Sequence, residues 1–255
     1  MGFLQREIGH FFVGIMFLTR LPVPSGLRHV EGRLARSARY FPVVGVLIGL
    51  LTALVFYVTR GMLHLPPAIA AGLTIAAGLL LTGALHEDGL ADCCDGLGGG
   101  ATREHALEIM RDSRIGTFGG AALIISIGLR WAALASFEPN EGLIALIVCH
   151  TVSRAMIPPV LVSGHYARTR GLASSVAEGV SGWEAGFAVV LAFAVAMVAG
   201  AVPGIAAFAA AIIAGGLVLS LLIVRLGGYT GDGLGAIQQV AEIAILVVLT
   251  GVRPV

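Results

Sequence analysis

The sequence predicts an all-α fold, a polytopic bundle of about seven transmembrane helices that follows a short N-terminal interfacial or re-entrant helix. Of its 255 residues, 57% are hydrophobic and only 12% are charged, whereas soluble domains carry about 25% charged residues. The mean hydropathy of +0.92 agrees with this composition. Because so few charges cannot cover a water-facing surface, we expect a single integral membrane domain over residues 1–255 in a lipid bilayer.

Seven apolar stretches are long enough to be spans, since a membrane helix needs about 20 mostly apolar residues. The apolar run at 11–18 is too short to span, so it is predicted to lie at the interface or to re-enter the membrane. Short turns at Glu138–Glu141 and Pro203–Gly204 are predicted to join neighbouring spans as hairpins. The predicted spans are residues 40–59, 66–85, 118–137, 142–162, 186–202, 205–224 and 236–252.

All sixteen basic residues are arginine, and their distribution predicts the orientation through the positive-inside rule. Eleven of them fall in the long polar loops and only Arg60 and Arg253 lie on the opposite side. We therefore predict a bacterial cytoplasmic (inner) membrane protein whose active site faces the cytoplasm. The net charge of +1 excludes a broad nucleic-acid surface. The predicted cytoplasmic segments are the loop 20–39, the catalytic loop 86–117, and the loops 163–185 and 225–235.

Seven of the fifteen acidic residues fall between residues 83 and 120. Asp88, Asp92 and Asp95 are spaced i, i+4 and i+7, so on a helix they share one face. Three like charges so close together repel one another and raise a pKa, and a divalent cation would relieve that conflict. Because hard carboxylate oxygens suit Mg²⁺, these three residues are predicted to be its ligands. The alternative is a solvated acidic loop.

Further polar residues are predicted to act beside this acidic face. Arg111 and Arg114 are candidate phosphate clamps, and Asp112 between them is a candidate further metal ligand. His86 is a candidate substrate-binding group. Asp232 lies among the glycines of GGYTGDGLGA, where a turn with a helix N-cap is the alternative.

Two arginines fall inside predicted spans. Arg154 is a functional candidate because an ionisable residue within a membrane is costly and rarely incidental; snorkelling or an internal ion pair is the alternative. Arg130, beside Trp131 near the outer end of its span, is interpreted as an interface anchor.

Three segments together resemble the cobalamin synthase family, whose members are adenosylcobinamide-GDP ribazoletransferases. These segments are HEDGLADCCDGL from residue 86, EIMRDSRIGTFG from residue 108 and GGYTGDGLGA from residue 227. Weaker matches extend the resemblance over about residues 10–245, in FLTRLPVP, RSARYFPVVGVLIG, SRA and HYARTRGLA. Glu87 departs from the family pattern, which has an apolar residue there. It is therefore not expected to be a ligand, and Glu87→Ala is expected to be mild.

The resemblance implies a Mg²⁺-dependent reaction in the last steps of cobalamin biosynthesis. Such enzymes join α-ribazole, or its 5′-phosphate, to adenosylcobinamide-GDP. A ribose hydroxyl attacks the cobinamide-linked phosphorus and GMP leaves, giving adenosylcobalamin or its 5′-phosphate. Phosphoryl transfer of this kind depends mainly on positioning and charge neutralisation. Asp112 or Asp232 would accept the hydroxyl proton, and Arg154 and Arg168 are further substrate-binding candidates.

Other functions are compatible with parts of the sequence. A CDP-alcohol-type phosphotransferase that makes lipids has a related paired-Asp motif. A transporter would place its ionisable residues near the middle of the bilayer, whereas here they are predicted to lie at one face. A membrane scaffold would not need three Asp in helical register beside paired arginines. A homo-oligomer is compatible with the sequence.

Overall fold

A computed structural model describes residues 3–24, 33–168 and 179–254, and this part of the chain is a helical bundle. Short 3₁₀ or π turns extend α2, α3 and α10 at Ala38–Tyr40, Tyr57–Met62 and Met197–Ala199. The helices of the described part are α1 (Phe3–Leu18), α2 (Arg33–Ser37), α3 (Phe41–Phe56), α4 (Pro67–Thr82), α5 (Leu85–Gly99), α6 (Arg103–Ile109), α7 (Thr117–Ala135), α8 (Pro139–Ala155), α9 (Ile157–Ser163), α10 (Gly182–Ala196), α11 (Ala201–Leu226) and α12 (Gly231–Gly251).

The described residues contain six helical segments long and apolar enough to cross a membrane, or seven if the bent pair α4–α5 is counted as one span. This confirms the predicted all-α polytopic fold. The N-terminal helix α1 is longer than the apolar run at 11–18 that predicted it, yet its 16 residues reach only about 24 Å. The six segments are Leu34–Met62, Thr117–Ala135, Pro139–Ser163, Gly182–Ala199, Ala201–Leu226 and Gly231–Gly251.

The predicted catalytic loop 86–117 is mostly helical, because α5 and α6 occupy most of it. The chain bends by 90° between α4 and α5, so the predicted span 66–85 ends as a helix at Thr82. Gly83 and Ala84 have left-handed backbone conformations, with φ of 66° and 55°. A Cβ at Gly83 would lie 2.2 Å from Nε of Arg20. The two left-handed residues end α4 and turn α5 away from its axis.

The predicted hairpin turn at Pro203–Gly204 is wrong, because both residues lie inside α11. The chain instead breaks at Gly200, which has a φ of 100°. Proline is tolerated in the first turn of a helix, where its missing N–H has no intrahelical acceptor. Parts of the predicted loops 20–39 and 163–185 lie outside the described residues.

Polar segments at one end of the bundle are held together by arginines that donate to backbone carbonyl groups. Arg103 donates to the carbonyl oxygens of Leu226 and Ala167, each at 2.7 Å. Arg225 donates to those of Leu97 and Gly100, at 3.1 and 3.0 Å. The ends of α5 and α11 and the segment after α9 therefore meet on one side of the bundle.

We expect that side to face the cytoplasm, as the arginine distribution predicts. Ser113→Cys lies at this end in an exposed segment, and Asn140→Cys is exposed at the start of α8, on the side of Arg60 and Glu138, whose charged atoms are 3.7 Å apart. A membrane-impermeant maleimide added outside intact cells should label Asn140→Cys only. Ser113→Cys should react once the membrane is permeabilised. Labelling of Ser113→Cys in intact cells would contradict the orientation.

Candidate active site

The acidic segment forms a helix, so the predicted register of Asp88, Asp92 and Asp95 is present on α5. Asp88 is exposed and Asp92 is half-buried, whereas Asp95 is only 9% exposed. The helix α5 itself lies outside the six segments that could cross a membrane by themselves. The three carboxylates therefore have different surroundings although they share one helix.

Asp95 binds the start of α7. Its two carboxylate oxygens accept hydrogen bonds from the backbone N–H groups of Gly116 and Gly119, at 2.7 and 2.8 Å. A negative charge at a helix N-terminus is stabilising because unpaired N–H groups and the helix dipole meet there. Asp95 thus holds α7 against α5, a role that the spacing on α5 did not indicate.

Asp88 and Asp92 instead lie near Asp232 at the start of α12. The helices approach closely because Gly89 has no side chain: a Cβ there would lie 2.8 Å from the carbonyl oxygen of Asp232. Burial, together with the charges of Asp88 and Asp232, raises the pKa of Asp92 to about 7. The predicted repulsion between neighbouring carboxylates is therefore present, with Asp232 as a member of the group.

The donor chemistry of this group suits Mg²⁺, although no three His, Cys, Asp or Glu side chains of the described residues form a ready-made metal site. Mg²⁺ commonly keeps several waters and binds through one or two carboxylates together with substrate phosphates. A preformed set of three protein ligands is therefore not required. The pKa of Asp92 is raised by burial and by the neighbouring negative charges, and a bound cation would relieve that repulsion.

A cavity of about 220 Å³ adjoins the carboxylates, and we call it the acid cavity. Asp232 pairs inside it with Arg168, whose Nη2 lies 2.7 Å from Oδ2 of Asp232. The segment that carries Arg168 is fixed by an isolated bridge between Tyr166 and Tyr229. The cavity is lined by Phe17, Leu85, His86, Asp88, Gly89, Ile157, Tyr166, Arg168, Gly231, Asp232, Leu234 and Gly235.

The two arginines of the RDSR segment, residues 111–114, differ in their pairing. Arg114 is exposed and contacts both carboxylate oxygens of Asp112, with Nε at 3.0 Å from each. Its hydrogen bonds lower the pKa of Asp112 to about 2, which makes this carboxylate a weak proton acceptor. Arg111 is exposed, and its side chain makes no hydrogen bond or ion pair with a described residue. Its charge acts on Tyr166 at the acid cavity.

Arg154 lies away from the acid cavity, in a buried polar network between α5, α7, α8 and α12. It is 1% exposed, and its Nη1 lies 3.1 Å from Nδ1 of His150 and 3.6 Å from Oε2 of Glu242. Glu242 also accepts a hydrogen bond of 2.7 Å from Gln238. The internal-ion-pair alternative for Arg154 is therefore the arrangement observed.

Arg130 completes the same network, so its interpretation as an interface anchor is wrong. It is 5% exposed and pairs with Glu87 at 2.9 Å and with Glu242 at 3.1 Å. Two buried acids thus compensate two buried arginines. Sequence reasoning did not single out Glu242. The available signal was an acid within an apolar span, one helical turn after Gln238 and Gln239, because an intramembrane polar group of this kind indicates a specific role.

The pairing of Glu87 changes the expectation for its replacement. Removing one partner of a buried ion pair leaves an uncompensated charge and costs about 3–5 kcal/mol. Glu87→Ala is therefore expected to destabilise the protein rather than to be mild. It is still not expected to be a metal ligand, because its Oε1 is bound to Arg130 and to Gln239, at 2.9 and 3.2 Å.

Comparisons with known proteins place this chain in a family. A family model described as cobalamin-5-phosphate synthase matches residues 10–250. The chain is 44% identical over 252 residues to an adenosylcobinamide-GDP ribazoletransferase of Bradyrhizobium diazoefficiens, covering 96% of this chain and 94% of the relative. It is 38% identical over 255 residues to the enzyme so named from Shewanella baltica, covering 96% and 95%.

A relative of the same name from Ralstonia nicotianae is 39% identical over 259 residues, covering 98% of this chain and 97% of the relative. No solved structure matches the chain. The family-model match extends from α1 to α12 and so spans the whole segment that contains the site. This chain belongs to the cobalamin-5-phosphate synthase family.

Proposed function

We propose that this chain joins α-ribazole, or its 5′-phosphate, to adenosylcobinamide-GDP and releases GMP. The observation that carries the proposal is the group of Asp88, Asp92 and Asp232 beside a cavity, in a chain of this family. The names of its relatives supply the substrates. The proposal includes a location in the bacterial inner membrane with the active site toward the cytoplasm.

In this reaction a ribose hydroxyl oxygen forms a bond to the phosphorus attached to cobinamide. The bond from that phosphorus to the bridging oxygen of GMP breaks, and GMP leaves with the electron pair. The hydroxyl also gives up a proton. Asp232 is the better candidate to accept it, because Asp232 lines the acid cavity and Asp112 is bound on both oxygens by Arg114.

Mg²⁺ is the proposed cofactor, with Asp88 and Asp92 as its protein ligands. Their oxygens belong to the group of neighbouring carboxylates whose mutual repulsion a cation would relieve. Both oxygens of Asp95, in contrast, already accept hydrogen bonds from backbone N–H groups. When bound, the ion would supply positive charge to the transferring phosphoryl group. Asp95 is assigned to positioning of α7, so we propose two protein ligands where the spacing alone suggested three.

Arg111 is the candidate clamp for a phosphate oxygen because it is exposed and unpaired among the described residues, whereas Arg114 is paired with Asp112. A bidentate phosphate contact needs the planar guanidinium fork, which lysine lacks. Arg111→Lys is therefore expected to lower kcat/KM at least about tenfold, or about 1.4 kcal/mol. Arg114→Lys should have a smaller effect. Equal, near-wild-type kinetics for both variants would contradict phosphate binding by this segment.

The direct test measures release of GMP from adenosylcobinamide-GDP by purified protein in detergent, with and without α-ribazole and Mg²⁺. We expect GMP only when both are present, with the joined product in equal amount. A parallel reaction with a CDP-alcohol and a lipid acceptor should release no CMP. GMP release that ignores α-ribazole, or CMP release in the parallel reaction, would overturn the proposal.

The buried network bears on the transporter alternative, because it places ionisable residues within candidate spans. These residues are closed off, however: Arg130, Arg154 and Glu242 are each 5% exposed or less and paired with one another. The cavity beside them is about 30 Å³, room for a buried water but not for a transported solute. The network therefore supports a structural role, and the acid cavity at the end of the bundle supports an enzyme.

A further inference from the structure

The acid cavity has an apolar part and a polar end. Phe17, Ile157 and Leu234 contribute apolar surface, whereas Asp88 and Asp232 place two carboxylates at the same cavity. Asp88 is exposed and Ile157 is buried, so the cavity extends inward from the surface of α5. A ligand that fits it must combine a flat or compact apolar group with a polar group that tolerates carboxylates.

Size distinguishes between the two substrates of the proposed reaction. The cavity volume of about 220 Å³ lies below the range of about 300–1,000 Å³ that is typical of sites for drug-sized ligands. A corrinoid linked to GDP is far larger than such ligands, so this cavity cannot enclose it. α-Ribazole is much smaller and joins an aromatic base to a ribose with free hydroxyl groups.

His86 has a polar ring atom that lacks a partner among the described residues. It is 3% exposed and lines the acid cavity, and its Nδ1 has no hydrogen-bond partner among the described residues. Buried polar atoms are nearly always hydrogen-bonded. His86 therefore carries a ring nitrogen with unused hydrogen-bonding capacity on a residue that lines the acid cavity.

On the basis of the proposed function, we propose that the acid cavity is the subsite for the nucleoside acceptor. The aromatic base of α-ribazole packs against Phe17, Ile157 and Leu234. Its ribose lies at the polar end, with the reacting hydroxyl toward Asp232, and Nδ1 of His86 forms a hydrogen bond with the nucleoside. Adenosylcobinamide-GDP then approaches from outside the cavity, where Arg111 is exposed.

The test compares two cavity-filling variants in buffers that contain Mg²⁺. Ile157→Phe fills the acid cavity, and Leu219→Phe fills a separate apolar cavity of about 270 Å³ between α9, α10, α11 and α12. Equilibrium dialysis measures the Kd of α-ribazole and, separately, of its 5′-phosphate. We expect Ile157→Phe to raise these Kd values at least tenfold and to leave the KM for adenosylcobinamide-GDP within twofold. Leu219→Phe should change neither quantity.

Three further variants keep the proposal testable if Ile157→Phe does not fold. Ile157→Ala enlarges the cavity and should improve binding of a ribonucleoside whose base has an additional fused ring, relative to α-ribazole. His86→Leu should raise the KM for α-ribazole at least tenfold, and His86→Asn, which retains a hydrogen-bonding group near Nδ1, should recover most of that loss.

Two outcomes would overturn the subsite without affecting the proposed reaction. In both of them the wild-type protein releases GMP. In the first, Ile157→Phe leaves the Kd of α-ribazole unchanged; in the second, it raises only the KM for adenosylcobinamide-GDP. Failure of the proposed function appears differently, as absence of GMP release by the wild-type protein. Binding of α-ribazole that follows the predicted order of variants would support the subsite in that case as well.

Discussion

Asp88→Asn and Asp92→Asn are each expected to lower kcat/KM at least about 100-fold, a loss of about 2.7 kcal/mol, while the protein remains folded in the membrane. Asparagine has nearly the same shape as aspartate but lacks the negative charge that would bind Mg²⁺ beside the phosphoryl group. Neither side chain is fully buried, and the substitution is nearly isosteric, so the fold should tolerate both variants. Initial rates of GMP release, measured over a range of Mg²⁺ concentrations, give the comparison.

Asp95→Asn is expected to give a different result, although it lies on the same face of α5. Both oxygens of Asp95 accept hydrogen bonds, from the N–H groups of Gly116 and Gly119. An amide has only one oxygen acceptor, so its NH₂ group would face one of these two N–H groups. Leaving such a buried donor unpaired costs about 1–3 kcal/mol, so the main effect should be on the unfolding midpoint. Glu104→Gln is the control, because Glu104 is exposed on α6. Wild-type stability with lost Mg²⁺ dependence in Asp95→Asn would restore it as a ligand.

Glu242→Ala is expected to lose more stability than Glu87→Ala, beyond the about 3–5 kcal/mol that is typical of one broken buried ion pair. The carboxylate of Glu242 forms ion pairs with Arg130, Arg154 and His150. Its removal leaves the two buried arginines with one remaining acid, Glu87. The bilayer offers no water to solvate them. Unfolding midpoints in detergent, measured by loss of the monodisperse peak on heating, should fall markedly.

The matched control for this variant is Glu104→Ala. Glu104 contacts Arg103 at 3.5 Å, but both side chains are largely exposed, and an exposed ion pair contributes only about 0–1 kcal/mol. Its unfolding midpoint should therefore stay close to that of the wild-type protein. Equal midpoints for Glu242→Ala and Glu104→Ala would mean that the buried network does not hold α5, α7, α8 and α12 together.

Local pattern was sufficient for much of the fold. Membrane spans can be read from the sequence because the hydrocarbon core requires about 20 apolar residues in a row, and each span is a property of consecutive residues. The helical register of Asp88 and Asp92 is equally local, since it depends only on the period of the α-helix. The bend after Thr82 is less accessible to local pattern, because its surroundings include a residue distant in sequence: Arg20 fills the space beside Gly83.

The sequence by itself determined that this protein is a helical membrane bundle with carboxylates gathered at one segment, because hydropathy and helical spacing are local quantities. Only the tertiary structure decided what each charged residue contacts. It directs Asp95 to the start of α7, brings Asp232 from α12 to Asp88 and Asp92, and encloses Arg130 with Glu242, which is 112 residues away. Such partners depend on which helices pack together, and within a bilayer an unpaired charge is so unfavourable that packing must supply a partner for it.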